Sequence, residues 1–284
     1  MDKRLLVLLG VLGVSFSSIF VKYADAPSAV LVVYRNGFAA VALLFLVAFK
    51  YRDEIRVIHK KEIIMCILSG IFLAMHFFFF FESIKHTSVA SSTALVNTEV
   101  FFVAIMSFLL YKEKVKKKAI VGIIITFAGS LIIAFGDGGE GHSALYGDMM
   151  ALLGAFAMSG YTMIGRKQRK STSTVIYTFF VYLAASVTMC LYCIPAGIPI
   201  TGHSSLNYAM ALCMTLFCTF LGHSIFNYCL KYINPVFIST AKLGEPLFAT
   251  LLALVIFTEI PGVFQITGAA LVVSGLYVYG RFER

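Results

Sequence analysis

The sequence predicts an all-α polytopic membrane protein in which ten transmembrane helices form two inverted five-helix repeats around a central cavity. Three observations predict this class: the apolar content, the position of the basic residues and an internal duplication. Of the 284 residues, 60% are hydrophobic and 13% are charged, and the mean hydropathy is +0.89. A soluble domain carries about 25% charged residues. Because each spanning helix needs about 20 mostly apolar residues, this composition indicates many spans.

Ten apolar segments can be drawn along the chain, separated by short polar connections. All are helix candidates, since an open strand cannot cross lipid with unpaired backbone groups. The expected spans are Leu5–Tyr23, Val30–Phe49, Ile63–Glu82, Val89–Tyr111, Ala119–Phe135, Tyr146–Gly165, Val175–Ile194, Leu206–Leu230, Pro235–Phe257 and Val263–Tyr279.

The basic residues predict how these spans are oriented. Most of them fall near the two termini or in the connections 50–61, 112–118 and 166–170. Lysine and arginine concentrate on the cytoplasmic side of a membrane, whereas Lys22 and Lys85 alone fall in connections expected outside. We therefore expect a multi-pass protein of the cell (inner or plasma) membrane with both termini cytoplasmic.

A constant offset relates positions in the two halves of the chain, because 245 − 99 and 268 − 122 are both 146. The related positions are Glu99 and Glu245, Glu113 and Glu259, Gly122 and Gly268, and Gly129 and Gly275. This pattern predicts a duplicated unit, with residues 1–136 as the first repeat and 137–284 as the second. Five spans per repeat is an odd number, so the two copies must cross the membrane in opposite directions, a common plan in transporters.

Two glutamates near the middle of expected spans, Glu99 and Glu245, are the first candidates for function, because an ionisable group costs about 2.5–3.5 kcal/mol there. Each could bind a cationic group or a proton, or could be an interior carboxylate held by a neighbouring cation. For Glu245 the expected neighbour is Lys242, three residues earlier on the same helical face. Pro246 removes a backbone donor, and a helix break there suits a substrate cavity.

Further ionisable candidates lie in other expected spans. Arg35 could neutralise a carboxylate ligand, snorkel to the outer headgroups, or pair with a buried glutamate such as Glu99. His76 and His223 occupy nearly matching repeat positions, and Asn227 lies four residues after His223 on the same face. Two histidines could ligate a metal, but no spacing defines a site, so polar side chains lining a wet cavity are favoured.

The remaining candidates are polar or aromatic. Phe80 follows His76 by four residues and could share its face toward the cavity, where an aromatic ring suits an aromatic or quaternary-ammonium ligand; packing is the simpler interpretation. Asn97, Tyr161 and Ser15 could line the pocket or form hydrogen bonds between helices.

Several function classes are excluded by the sequence. The net charge of +9 does not indicate nucleic-acid binding, because the basic residues lie between spans, where topology signals are expected. The six cysteines lie in or beside apolar segments, and none completes a zinc-ligand pattern. The nucleophile elbow, the zinc-protease helix motif, the phosphate loop and the dinucleotide fingerprint are all missing. We expect no catalytic residue, no metal and no cofactor.

The sequence resembles the EamA family of the drug/metabolite transporter superfamily over essentially its whole length. The matching residues are LLYKEK with Glu113, IFTE with Glu259, the following GIIITFAG and GAALVVSG, VVYRNG with Arg35, and the Glu245–Pro246 step. The resemblance implies that helices 1–4 and 6–9 surround a central cavity and that helices 5 and 10 are peripheral. It also implies alternating access for small organic metabolites, commonly export of amino acids or related compounds.

Our hypothesis is a secondary active transporter of small polar metabolites, with amino acids or related compounds as exported substrates and a gradient of protons, another ion or substrate as the energy source. Its partners are the small-molecule substrate and the lipid bilayer; a monomer and a homodimer both stay open. One alternative is an importer of an organic cation such as a choline-like compound, favoured by an anionic Glu99 beside Phe80. Another is a non-transporting receptor or scaffold. A cavity lined by both a cation and a carboxylate favours a zwitterion.

Overall fold

The computed structural model describes residues 2–87, 89–136, 145–248, 251–252 and 262–282. Over these residues the chain is built of helices and connecting turns, without a β-strand. Glu259 lies outside the described residues, and so does most of the C-terminal part of the expected ninth span.

The helices follow one another with short connections. In the first half they are α1 Lys3–Val14, α2 Ser17–Tyr23, α3 Ser28–Lys50, α4 Arg52–Val57, α5 Lys60–His86, α6 Val89–Val96, α7 Glu99–Tyr111 and α8 Lys117–Gly136. In the second half they are α9 Leu145–Gln168, α10 Thr174–Cys193, α11 Ser205–Cys213, a π-helix Met214–Ser224, α12 Ile225–Cys229, α13 Pro235–Lys242 and, after the gap in description, α14 Val263–Phe282.

Six helical segments in the described part of the chain are long and apolar enough to cross a membrane. They are Lys3–Tyr23, Ser28–Lys50, Lys60–His86, Ser92–Tyr111, Thr174–Cys193 and Ser205–Cys229. Ile266–Phe282 is a shorter apolar helix, and α8 and α9 occupy the positions of the fifth and sixth expected spans. The predicted class, an all-helical multi-pass membrane protein, is therefore confirmed, whereas the number of ten spans stays a prediction.

Two of the spans break at corresponding positions. Helix α6 ends at Val96 and α7 begins at Glu99, with a turn at Asn97 and Thr98. Helix α13 ends at Lys242, a turn covers residues 243–244, and helical structure resumes at residues 245–248. The two turns are separated by the 146-residue offset, and each puts a glutamate at the start of a new helical segment. The partial positive charge of a helix N-terminus favours a carboxylate at such a position.

The start of α13 is fixed by its own sequence. The side chain of Asn234 accepts a hydrogen bond from the backbone N–H of Val236 at 2.8 Å, and Pro235 occupies the first turn. An asparagine cap satisfies a backbone donor that has no partner inside the helix, and proline there has no donor to lose. This cap sets where α13 begins and so where its last residue, Lys242, lies.

Helices α8 and α14 cross through glycines. A Cβ atom on Gly122 would lie 2.9 Å from the carbonyl oxygen of Gly275, and one on Gly129 would lie 2.7 Å from that of Gly268. The two helices run antiparallel, since Gly122 meets the later glycine of α14 and Gly129 the earlier. Small residues let helix backbones approach this closely, so the glycine pairs serve packing between the two helices.

The other helices pack around the centre of the molecule. Helix α5 packs on α9 and α10, α3 packs on α10, and α1 packs on the π-helix. Helix α7 contacts both α9 and α13. This arrangement leaves a polar cavity between the broken segments and α3, α5 and the π-helix.

Candidate functional site

A polar cavity lies between the broken helices. Its walls come from both halves of the chain, and they combine four charged side chains, two histidines and several apolar groups. The lining residues are Val14, Ser17, Arg35, His76, Phe77, Phe80, Val96, Asn97, Glu99, His223, Lys242 and Glu245.

An ion pair between Lys242 and Glu99 is the strongest polar contact in the cavity. The Lys242 Nζ atom donates to both carboxylate oxygens of Glu99, each at 2.8 Å, and both side chains are buried. The expected pairing of Lys242 with Glu245 is therefore wrong. Helix α13 ends at Lys242, so the helical geometry that would bring residues three apart together is lost, and the lysine reaches across to α7.

Glu245 is left without an ion pair among the described residues, although it is buried. Its carboxylate interacts electrostatically with Lys242, Glu99 and Asn97. Its backbone oxygen accepts a hydrogen bond from the Ser15 hydroxyl at 3.3 Å. The Nδ2 atom of Asn97, a possible donor toward this carboxylate, is buried without a hydrogen-bond partner.

Arg35 is a fully buried cation, with 1% of its surface exposed. Its Nε donates to the Thr219 hydroxyl at 2.8 Å, its Nη1 donates to the Ser17 hydroxyl at 3.4 Å, and its guanidinium carbon lies 3.9 Å from the centre of the Phe77 ring. This geometry contradicts snorkelling to headgroups. It also contradicts a pairing with Glu99, whose two oxygens are held by Lys242. The Nη2 atom has no hydrogen-bond partner.

His76 and His223 face each other across the cavity, with ring centres 6.3 Å apart. The Nδ1 atom of His76 is 3.0 Å from the carbonyl oxygen of Gly154, and the His76 ring stacks on Phe80 at 6.1 Å. The Nδ1 atom of His223 has no hydrogen-bond partner among the described residues. No cluster of three or more metal-ligating side chains occurs within the described residues, so the described part of the chain offers no metal centre of that kind.

Three of the sequence candidates lie behind the cavity wall. Asn227 donates from Nδ2 to the Tyr161 hydroxyl at 2.6 Å, and the Tyr161 ring lies 6.1 Å from that of His223. Ser15 donates to the carbonyl oxygens of Val11 and Glu245. These side chains support residues of the cavity and do not line it, whereas the other eight candidates line it.

Three residues that shape the site were not among the candidates predicted from the sequence: Ser17, Phe77 and Thr219. Ser17 and Thr219 hold the Arg35 guanidinium, and Phe77 covers its face. Phe77 belongs to a run of five phenylalanines that faces all round α5, so periodicity could not select it. Serines and threonines are common in spanning helices, and only the partner Arg35 distinguishes these two.

A second polar junction lies at the end of α7. Arg166 of α9 forms a bidentate ion pair with Glu113. The Nδ2 atom of Asn234 donates a hydrogen bond to the same carboxylate at 3.3 Å. Glu113 therefore joins α7 to both α9 and the start of α13. Its expected counterpart Glu259 lies outside the described residues.

Several known proteins with sequences similar to this chain are named as transporters or as an efflux pump. A family model described as the EamA-like transporter family matches residues 4–135 and 145–281. An uncharacterized transporter of Archaeoglobus fulgidus is 23% identical, over 74% of this chain and 73% of the relative, and the uncharacterized transporter YxxF of Bacillus subtilis is 24% identical, over 93% and 85%. A probable amino-acid metabolite efflux pump of Salmonella typhimurium is 22% identical, over 96% and 92%.

The fold has a counterpart of known structure. A protein chain solved by crystallography superposes with a TM-score of 0.79 over 99% of this chain and 98% of that chain, at 16% identity, which is a likeness of fold alone. The family match covers nearly the whole chain in two consecutive ranges and agrees with the apolar helices and the polar cavity between them. The chain belongs to the EamA-like transporter family and is a multi-pass membrane transporter.

Proposed function

We propose that the protein is a secondary active transporter that moves small zwitterionic metabolites, amino acids or related compounds, out of the cell by alternating access. The observation that carries this proposal is the buried Lys242–Glu99 pair beside Glu245, in a cavity built from both halves of the chain. Intramembrane charges are costly and mark substrate or ion pathways. The sites of inverted-repeat transporters lie between the repeats, at broken helices.

The proposed architecture is a pair of inverted repeats, residues 1–136 and 137–284. Reciprocal contacts support it, because Gly122 meets Gly275 and Gly129 meets Gly268. With the repeat offset, Gly122 corresponds to Gly268 and Gly129 to Gly275, so each glycine contacts the counterpart of the other. A two-fold axis produces this exchange of partners. The packing of α5 on α9 and of the π-helix on α1 follows the same exchange, and the family model matches one range in each half.

Zwitterionic substrates are favoured over organic cations by the charges in the cavity. An organic cation needs a free carboxylate beside aromatic faces. Glu99 is occupied by Lys242, and the face of Phe77 is covered by Arg35. The remaining carboxylate, Glu245, shares the cavity with the cation Arg35, and neither forms an ion pair among the described residues. A molecule that carries both charges complements them. The name of the Salmonella relative, a probable amino-acid metabolite efflux pump, agrees with this substrate class.

The proposed membrane is the cell membrane, with both termini cytoplasmic, because the connections rich in lysine and arginine then face the cytoplasm. Transport is proposed to be driven by an ion or substrate gradient, since the sequence contains no phosphate-binding loop for ATP. The repeats are proposed to move against each other around the cavity, which opens it to one side of the membrane at a time.

Transport by the purified protein in liposomes tests the proposal. Proteoliposomes and protein-free liposomes are offered a labelled panel of amino acids, amines and nucleosides. Uptake of amino acids or their close relatives above the protein-free level is expected. Uptake of amines alone favours the organic-cation importer, and failure to move any compound contradicts the transporter assignment and favours a receptor or scaffold.

A further inference from the structure

Arg35 and Glu245 are the two charged side chains of the cavity that form no ion pair among the described residues. The other two charges, Lys242 and Glu99, neutralise each other at 2.8 Å. A ligand therefore meets one available positive group and one available negative group. Both are buried, with 1% of Arg35 and 7% of Glu245 exposed.

The Arg35 guanidinium is held in one plane but is not saturated. Thr219 accepts from Nε at 2.8 Å and the Phe77 ring lies under the guanidinium at 3.9 Å, whereas Nη2 has no partner and the Nη1 contact to Ser17 is long, at 3.4 Å. Arginine stays protonated in proteins, and a buried cation without a counter-ion is costly. The two Nη atoms match the two oxygens of a carboxylate.

Glu245 lines the same cavity as Arg35 but comes from the other half of the chain. Its carboxylate interacts with Lys242, Glu99 and Asn97. The rings of His76 and His223 also line this cavity, with their centres 6.3 Å apart. The cavity wall therefore offers a guanidinium and a carboxyl group to the same ligand, together with aromatic rings.

We infer that this cavity recognises the backbone of a free α-amino acid at two poles, with the carboxylate bound by Arg35 and the ammonium group by Glu245. This inference rests on the proposed function and specifies which residues determine specificity for it. The Lys242–Glu99 pair supports the site without binding either group. A bound amine would leave Arg35 buried and unpaired, and a bound carboxylic acid without an amino group would leave Glu245 buried and unpaired. The site therefore selects against both kinds of compound.

Competition for uptake tests the two poles separately. Proteoliposomes take up a ¹⁴C-labelled mixture of L-amino acids in the presence of three unlabelled competitors: the same amino acids, the corresponding amino-acid amides, and the corresponding carboxylic acids without the amino group. In the wild type, the amino acids are expected to compete at concentrations about 10- to 100-fold lower than either analogue, the factor typical of a charge-assisted hydrogen bond.

Substitutions then assign each pole to a residue. Arg35→Gln is expected to abolish the preference for amino acids over amides and to keep the preference over deaminated acids; Glu245→Gln is expected to do the reverse. Arg35→Lys keeps the charge but loses the second donor, so it retains a weaker preference. Arg56→Gln and Asp53→Asn remove the same charges from an exposed connection and are expected to leave all preferences unchanged.

The inference and the proposed function fail in different ways. Absence of amino-acid uptake by the wild type overturns both. If the wild type takes up amino acids without preferring them to the two analogues, the two-pole inference is overturned and the transport of amino acids stands. An unchanged preference in Arg35→Gln or Glu245→Gln has the same consequence. If Arg35→Gln does not fold, wild-type competition and Arg35→Lys decide.

Discussion

The ammonium nitrogen of Lys242 lies 2.8 Å from both carboxylate oxygens of Glu99, a residue 143 positions earlier in the chain. Lys242 is the last residue of α13 and Glu99 is the first residue of α7. The pair therefore ties together the two helices that break at the cavity, one from each half of the chain.

Removing one partner of this pair is expected to destabilise the protein. Lys242→Met or Glu99→Leu leaves a buried charge without a counter-ion, which costs about 3–5 kcal/mol, whereas removing both charges can be nearly neutral. Thermal unfolding in detergent is expected to give lower midpoints for each single variant and a midpoint closer to the wild type for the double variant. A double variant as unstable as the sum of the two singles contradicts a direct pair.

The sequence predicted which charges lie in the membrane but not which of them meet. Glu99, Lys242 and Glu245 stand out as ionisable groups in apolar segments, and the offset of 146 residues relates the two glutamates. The pairing of Lys242 with Glu245 was inferred from continuous helical geometry, and the turn at residues 243–244 removes that geometry. Contacts between helices far apart in sequence depend on packing, which periodicity does not encode.

Packing between α8 and α14 is expected to tolerate no side chain at the crossing. Gly129→Ala would place a methyl group 2.7 Å from the Gly268 carbonyl oxygen, and such overpacking costs about 1–3 kcal/mol. Gly280→Ala on α14 is the matched control, because nothing lies within 4 Å of its added Cβ. A lower thermal unfolding midpoint for Gly129→Ala than for Gly280→Ala is the expected result, and equal midpoints contradict the close crossing.

The cap of α13 is expected to contribute to stability and to the position of Lys242. Asn234→Ala removes the acceptor for the Val236 N–H and the donor to Glu113, and loss of a helix cap costs about 0.5–2 kcal/mol. Asn234→Ser restores a capping hydroxyl and is expected to recover most of the loss. The thermal unfolding midpoints of the wild type and the two variants are compared. A midpoint for Asn234→Ser no higher than that for Asn234→Ala would indicate that the cap does not stabilise the protein.

The proposed orientation predicts opposite labelling of two connections. Arg52 and Thr201 are both exposed, and the charge distribution assigns Arg52 to the cytoplasmic side and Thr201 to the outside. A membrane-impermeant maleimide is expected to label Thr201→Cys in intact cells and Arg52→Cys only after permeabilisation. The wild type, with its six cysteines, gives the background. The reverse pattern contradicts cytoplasmic termini.

The site could be predicted only in part, for reasons visible in its residues. Arginine and histidine are rare in apolar spans, so Arg35, His76 and His223 stand out in the sequence. Ser17 and Thr219 carry no such signal, because a hydroxyl in a spanning helix usually bonds to its own backbone. Their role depends on the arginine that reaches them from α3.

Substrate is proposed to pass through the cavity beside Lys242 and Glu99, and chemical blockade of that cavity is the sharpest test of this path. Ser17 lines the cavity, so Ser17→Cys is treated in proteoliposomes with a small thiol-reactive methanethiosulfonate, beside the wild type and the exposed control Thr201→Cys. Amino-acid uptake is measured, and mass spectrometry measures modification at the introduced cysteine. Modification of Ser17→Cys is expected to abolish uptake, and an excess of unlabelled amino acids is expected to slow this modification. Both controls are expected to keep their uptake. Fully modified Ser17→Cys protein that transports at the rate of the untreated protein would contradict the claim.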